Sequence, residues 1–236
     1  MLKTEFVQKS DLGQLFYLFP FFILLVLLEG RDSATFSAYF DVLPVLGRTV
    51  PFFIFTILLV SVFIVRGGSL SQRGLRWPHY PEKSTQQVIV RIAFLAFSIL
   101  VLRILFAAAA EPLTEAFPKT IPNDNPLRDN TALLIGLLPI MWMVVIGEEV
   151  LIRGLLMNYL ARLFGDSAVA WILAIIVSAI VFGLGHMGKG PGAAMGSGFG
   201  GLAYGLGYYF SRKNLLPVIL AHCAANTLGF IGAYFG

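Results

Sequence analysis

Long apolar runs separated by polar loops are the feature that most restricts the folds open to this chain. A transmembrane helix needs roughly 20 mostly apolar residues, and about seven stretches approach or exceed that length along the 236 residues. Only 13% of the residues are charged, whereas soluble chains average about 25%. Because so few polar side chains cannot cover a water-soluble globule, the sequence predicts an all-α, polytopic transmembrane helix bundle.

The predicted spans differ in length, so about six to eight spans are compatible with the sequence. The first two are short for a bilayer. The fourth exceeds one bilayer thickness, so it must tilt, break near Gly147 or Gly154, or continue along the membrane surface. The spans run approximately over residues 15–28, 49–65, 88–110, 131–164, 167–187, 193–210 and 215–234.

Two adjacent acidic residues lie inside the fourth apolar span. Glu148 and Glu149 are followed by Arg153 in the segment GEEVLIRGLL. A charged side chain at the centre of a bilayer costs about 2.5–3.5 kcal/mol on insertion scales, so charged groups inside a span usually mark a functional site. This cluster is the first candidate site in the chain.

Two later spans each carry a histidine with a partner four residues away. Phe182 and His186 belong to the fifth span, and His222 and Asn226 to the seventh; residues four apart lie on one helix face. At 1.5 Å per residue, Glu148 and His186 lie about 25 and 31 Å from the turn that joins their helices, so they can face each other. His222 lies only about 13 Å from the start of its helix, so spacing alone does not bring it to that height.

The side chains in these three helices suit hydrolysis of an acyl bond, and a peptide bond best of all. A buried glutamate can take a proton from water, and a neighbouring histidine can share it or protonate a leaving amine. A second histidine and an asparagine offer donors to an oxyanion, while Arg153 orients the carboxylate of Glu149. Metal ligation is the alternative, because two histidines and a glutamate form a catalytic zinc set. A zinc ion, if bound, would be held by Glu148, His186 and His222.

These residues resemble three ordered motifs of the CPBP family of intramembrane proteases, which includes the CAAX-processing endoproteases and the bacteriocin-immunity (Abi) proteins. GEEVLIRGLL is similar to the Glu-Glu-x-x-x-Arg motif, FGLGH to Phe-x-x-x-His, and HCAAN to His-x-x-x-Asn. The resemblance covers about residues 142–230. It implies a CPBP-like catalytic helical core over residues 131–236, preceded by a variable N-terminal transmembrane region over residues 1–130.

The resemblance also implies a role for each matching position. Glu148 is implied to be the base, and His186 to activate the same water. The histidine and asparagine of the third motif are implied to stabilise the oxyanion, with the Glu149–Arg153 pair supporting the site. Family members are often described as metalloproteases, and a metal-free, glutamate-dependent mechanism has also been argued for them, so the resemblance leaves the metal open.

Two further features lie outside these motifs. Arg103 stands inside the third apolar span, where it can pair with a carboxylate, extend to the membrane surface or line a cavity. The glycine-rich stretch over residues 188–207 predicts close helix packing through small residues. A thin helix there would also leave room for a segment of substrate.

Together these patterns predict an integral, multi-pass protein of the cell (plasma) membrane. Its expected partners are the lipid bilayer and a peptide or membrane-protein substrate, and no nucleic acid, because the basic residues are scattered between apolar runs. The favoured function is an intramembrane endopeptidase, glutamate-type or metal-dependent. The CPBP resemblance implies that CAAX-type proteins or peptide precursors are among its possible substrates. A non-catalytic immunity or peptide-binding membrane protein on the same scaffold is the alternative.

Overall fold

The computed structural model describes residues 44–65, 67–78, 83–117 and 125–236. The first predicted span, over residues 15–28, lies outside these ranges. Within them all regular structure is helical, with no strand, which confirms the all-α prediction. In chain order the described elements are α1 (Pro44–Val65), α2 (Thr85–Thr114), α3 (Thr131–Glu149), a π-helical segment (Val150–Met157), α4 (Asn158–Leu163), α5 (Ala168–Gly185), a 3₁₀ turn (Met187–Lys189), α6 (Pro191–Phe210) and α7 (Leu215–Phe235).

Polar capping residues mark where several of these helices begin. Ser84 starts α2 with a reciprocal capping box, in which its hydroxyl accepts from the Gln87 amide and the Gln87 side chain accepts from the Ser84 amide. Single N-caps begin three other helices. The side-chain oxygens of Asn130, Ser167 and Asn214 each accept one backbone amide hydrogen bond at the start of α3, α5 and α7. The boundaries thus follow from local chemistry.

Four continuous helical stretches among the described residues are long and apolar enough to cross a membrane, and α1 adds a shorter apolar stretch, Phe52–Val65. Large side chains such as Phe94 and Phe97 are exposed on α2, as expected where a helix faces lipid. The protein is therefore a multi-pass membrane protein, while the number of about seven spans stays a prediction. The four stretches are Thr85–Thr114, Thr131–Leu163, Ala168–Gly185 and Leu215–Phe235.

The glycine-rich helix α6 packs against both α2 and α5. A Cβ atom at Gly201 would lie 3.0 Å from Ala179 Cα on α5, and one at Gly207 would lie 2.6 Å from a side-chain carbon of Ile99 on α2. Glycine lets the backbones approach this closely. The close packing predicted from the glycine-rich stretch is therefore present, and it brings α2 and α5 towards each other across α6.

The long fourth span stays helical from Thr131 to Leu163. At Val150, between Gly147 and Gly154, the backbone hydrogen bonds change from the α-helical to the π-helical pattern. Every residue of the π-helical segment is buried. At its end, Asn158 Nδ2 donates to the carbonyl oxygens of Arg153 and Gly154 at 2.8 and 3.0 Å. Such segments are rare and occur frequently at functional sites. The span thus changes its helical pitch immediately after the two glutamates.

The position of α7 is fixed by the loop over residues 67–78. The Leu215 amide donates to the Gly74 carbonyl oxygen at 3.0 Å. Gly74 has φ +101°, and a Cβ atom there would collide with the carbonyl oxygen of Lys213, so this contact requires glycine. Because the first residue of α7 is held in this way, His222 stands at a fixed height about two turns further on.

Candidate active site

A fully buried ion pair lies behind the candidate site. Glu149 Oε1 accepts a hydrogen bond from Arg153 Nη1 at 2.8 Å, and neither side chain is exposed. Arg153 Nη2 also donates to the carbonyl oxygen of Gly201 at 3.2 Å. Buried charges persist in folded proteins when they are paired and hydrogen-bonded. The pair therefore ties the beginning of the π-helical segment to the glycine-rich helix α6.

The same carboxylate oxygen holds one of the histidines. Glu149 Oε1 lies 2.8 Å from His222 Nδ1. Because the carboxylate paired with Arg153 is an acceptor, Nδ1 carries the proton of this hydrogen bond. The ring presents Nε2 on its other side, 3.8 Å from Glu148 Oε2. That separation is too long for a direct hydrogen bond and suits a shared water or substrate oxygen.

The second histidine is fixed by the backbone. His186 follows the last residue of α5, and its Nδ1 lies 2.8 Å from the carbonyl oxygen of Phe182. A carbonyl oxygen only accepts, so Nδ1 is the donor and Nε2 is left as the available ring nitrogen. A histidine whose tautomer is set in this way can accept a hydrogen bond or a proton at Nε2.

Aromatic rings hold both imidazoles and the guanidinium. The Phe182 ring centroid lies 4.7 Å from that of His186 and 5.9 Å from that of His222, the second contact being edge-on. Tyr204 stacks on His222 at 4.4 Å with the rings 26° apart. The Arg153 guanidinium carbon lies 4.7 Å from the Phe182 centroid and 5.4 Å from that of Tyr204, which is cation–π distance. These contacts restrict the rotation of each polar side chain.

A cavity of about 370 Å³ lies over the cluster, within the size range typical of ligand pockets. Part of its wall is apolar and comes from α3, which contributes Ile140, Met141 and Val144. Glu149 and Arg153 lie behind the cavity and are fully buried. The other predicted site residues all line it: Glu148, His186, His222 and Asn226.

The structure brings His222 closer to the glutamates than the spacing argument predicted. Glu148 and His186 share one cavity, as their similar calculated heights suggested. His222 was expected lower in the membrane, yet it contacts Glu149 directly. The height estimate took the helices as untilted and level at their ends, and the contact between His222 and Glu149 shows that this assumption does not hold for α7.

Tyr204 and Arg103 also belong to the site, although the sequence analysis did not assign them to it. Both line the cavity. No helical spacing relates either residue to the three motifs, because they come from two other helices. The signals that sequence offered were a cation inside an apolar span and a tyrosine inside a glycine-rich helix.

The residues predicted to hold zinc can be compared with a tetrahedral zinc site. Among the described residues, no group of three or more His, Cys, Asp and Glu side chains is already arranged to hold a metal ion. Two tetrahedral zinc ligands, each about 2.1 Å from the metal, stand about 3.4 Å apart, and Glu148 Oε2 and His222 Nε2 are 3.8 Å apart, a difference that a small side-chain rotation removes. The zinc set formed by Glu148, His186 and His222 stays a prediction, and no step below uses a metal.

Residues 130–228 match the family model described as type II CAAX prenyl endopeptidase Rce1-like. This segment is therefore similar to the domain that the family model describes. The match agrees with the CPBP resemblance and includes all three motifs. No curated protein and no solved structure matches the chain.

Proposed function

We propose that this protein is an intramembrane endopeptidase that hydrolyses a peptide bond with a water molecule activated by Glu148 and His186. The observation that carries the proposal is the meeting of one carboxylate and two imidazoles at a single cavity between apolar helices. The match to the Rce1-like family model supports the reaction class. The catalytic core over residues 131–236 and the variable region over residues 1–130 are part of the same proposal.

In the first step, the Glu148 carboxylate takes a proton from the attacking water. His186 Nε2 accepts a hydrogen bond from the other O–H of that water, because its Nδ1 donates to the Phe182 carbonyl oxygen. The water oxygen then bonds to the carbonyl carbon of the peptide, and the electron pair of the carbonyl π bond moves to its oxygen. Two fixed acceptors thus orient the nucleophile before attack.

The resulting oxyanion is stabilised by His222 and Asn226. The Asn226 amide is a donor in any protonation state. His222 donates from Nε2 only as an imidazolium, and the Glu149 carboxylate supplies the counter-charge for that form, because Glu148 carries the water proton at this stage. When the oxyanion electron pair re-forms the carbonyl group, the C–N bond breaks and the proton held by Glu148 passes to the leaving amine nitrogen, which completes the hydrolysis.

Glu149 and Arg153 act as positioning residues rather than as groups that touch the substrate. Glu149 Oε1 fixes the tautomer and orientation of the His222 ring, and Arg153 fixes Glu149.

As substrate we propose a CAAX-type protein or a peptide precursor, whose apolar residues would lie against the α3 wall of the cavity. Location in the plasma membrane stays a prediction.

The proposal is tested with purified protein in lipid nanodiscs and a library of peptides, with and without a CAAX-type C-terminus and a prenyl group. Products are identified by mass spectrometry. Glu148→Gln and His186→Ala should each lower turnover by about 10²–10⁴-fold, the usual contribution of general acid–base catalysis. Glu115→Gln makes the same chemical change at an exposed position outside the cavity and serves as the matched control.

Addition of a chelator separates the two mechanisms that the sequence left open. We expect turnover to be unchanged after dialysis against chelator, because the proposed steps use only side chains. Full turnover by Glu148→Gln on a cleaved peptide would refute the assignment of the base. A Glu148→Gln variant that still protects cells in a complementation assay would favour the immunity or binding alternative.

A further inference from the structure

Arg103 is a cation held inside the cavity by a helix that the Rce1-like match does not include. It lies within the apolar helix α2 and lines the cavity together with Glu148 and His186. Its guanidinium packs on the backbone of α6, where a Cβ atom at Gly200 would stand 2.6 Å from Arg103 Nε. Glycine at position 200 therefore makes the space that this side chain occupies.

Among the described residues, Arg103 has no carboxylate as an ion-pair partner. Lys189 is a second cation in the cavity wall, and among the described residues that line the cavity Glu148 is the one carboxylate. A cation in an apolar span is costly unless it has a counter-charge or a function.

We propose that Arg103 binds a carboxylate of the substrate, so that the cavity selects peptides with a negative charge close to the cleaved bond. A guanidinium can form two parallel hydrogen bonds with a carboxylate, and the close approach of α6 at Gly200 restricts where this side chain can lie. The carboxylate can be the C-terminus of the substrate or the side chain of an acidic residue. The selection of cleaved substrates rests on the proposed function, whereas the binding of a carboxylate does not.

The test measures binding separately from cleavage. Peptides taken from the library are synthesised as free acids, as C-terminal amides, and as amides with Asp or Asn in matched positions. Their binding to the Glu148→Gln protein in nanodiscs of zwitterionic lipid is measured by fluorescence anisotropy. A single hydrogen-bonded charge pair predicts a preference of at least about tenfold for the peptide with the carboxylate.

Arg103→Met in the same background should reduce this preference to about one, and Arg103→Lys should retain part of it because the charge remains. Arg76→Met is the matched control, since Arg76 is exposed in the loop over residues 67–78 and does not line the cavity. It should leave the preference unchanged.

The outcomes separate the two proposals. A preference that depends on Arg103 supports the inference even when no peptide is cleaved by the parent protein, in which case the proposed function fails alone. Preference for the free acid identifies the C-terminal carboxylate, and preference for Asp over Asn in the amides identifies a side chain. The inference is overturned by equal binding of carboxylate and neutral peptides, by absence of binding, or by a preference that survives in Arg103→Met.

Discussion

The buried pair of Glu149 and Arg153 should be strongly coupled in stability. Replacing Glu149 by Gln leaves a guanidinium with no counter-charge in a fully buried position, and replacing Arg153 by Met leaves a buried carboxylate with only the hydrogen bond from His222. Breaking a buried pair by removing one partner costs about 3–5 kcal/mol. The double variant has neither charge, so it should be about 2–3 kcal/mol more stable than the sum of the two single effects predicts.

The measurement is a double-mutant cycle of the free energy of unfolding, from denaturant titrations in detergent micelles with helical content as the signal. The exposed pair of Lys213 and Asp166, whose charged atoms are 3.8 Å apart, provides the control cycle, with Lys213→Met and Asp166→Asn. A surface pair contributes little, so its coupling should be close to zero. If the effects of the two single variants are additive, the reasoning is refuted, because additivity means that the two charges do not stabilise each other in the folded protein.

Three further predictions concern the cavity and the helices that form it. Asn226→Ala should lower kcat by about 10²–10³-fold with a much smaller effect on KM, because an oxyanion donor acts mainly in the transition state; steady-state rates on a cleaved peptide test this. Phe182→Leu should lower kcat with retention of helical content, since the ring contacts both imidazoles; an unchanged kcat would show that these contacts do not orient the histidines. Gly201→Leu should lower the thermal unfolding temperature, because its side chain would meet Ala179 across a contact that has no space for it; Gly236→Leu, at a position with nothing within 4 Å, is the control.

Much of the fold was predictable because apolar length and capping chemistry act locally. The runs of apolar residues located the described helices to within a few residues, and Ser84 and Ser167 begin two of them. The candidate site was partly predictable for a similar reason. Residues four apart share a helix face, so the polar pairs on α5 and α7 pointed to the helices that meet at the cavity.

The remaining features depend on contacts between helices that no local pattern encodes. Arg103 reaches the cavity only because α2 packs on α6 at Gly200, and Tyr204 faces His222 only because α6 lies against α5 and α2. The height of His222 was not predictable because the tilt of each helix and the level at which it begins depend on contacts between helices. The number of spans likewise depends on residues beyond those that the structure describes.

Two adjacent glutamates can perform different tasks here because neighbouring residues on a helix point about 100° apart. Glu149 faces inward, where its Oε1 accepts hydrogen bonds from Arg153 and His222. Its carboxylate therefore orients these two side chains. Glu148 faces the cavity and keeps its carboxylate for the substrate side. In the proposed mechanism, a single glutamate with both tasks would move during proton transfer and so disturb the histidine proposed to stabilise the oxyanion. The doublet would instead separate a fixed anion from a reactive one, and on this proposal the buried ion pair contributes to catalysis although neither of its charges touches the cavity.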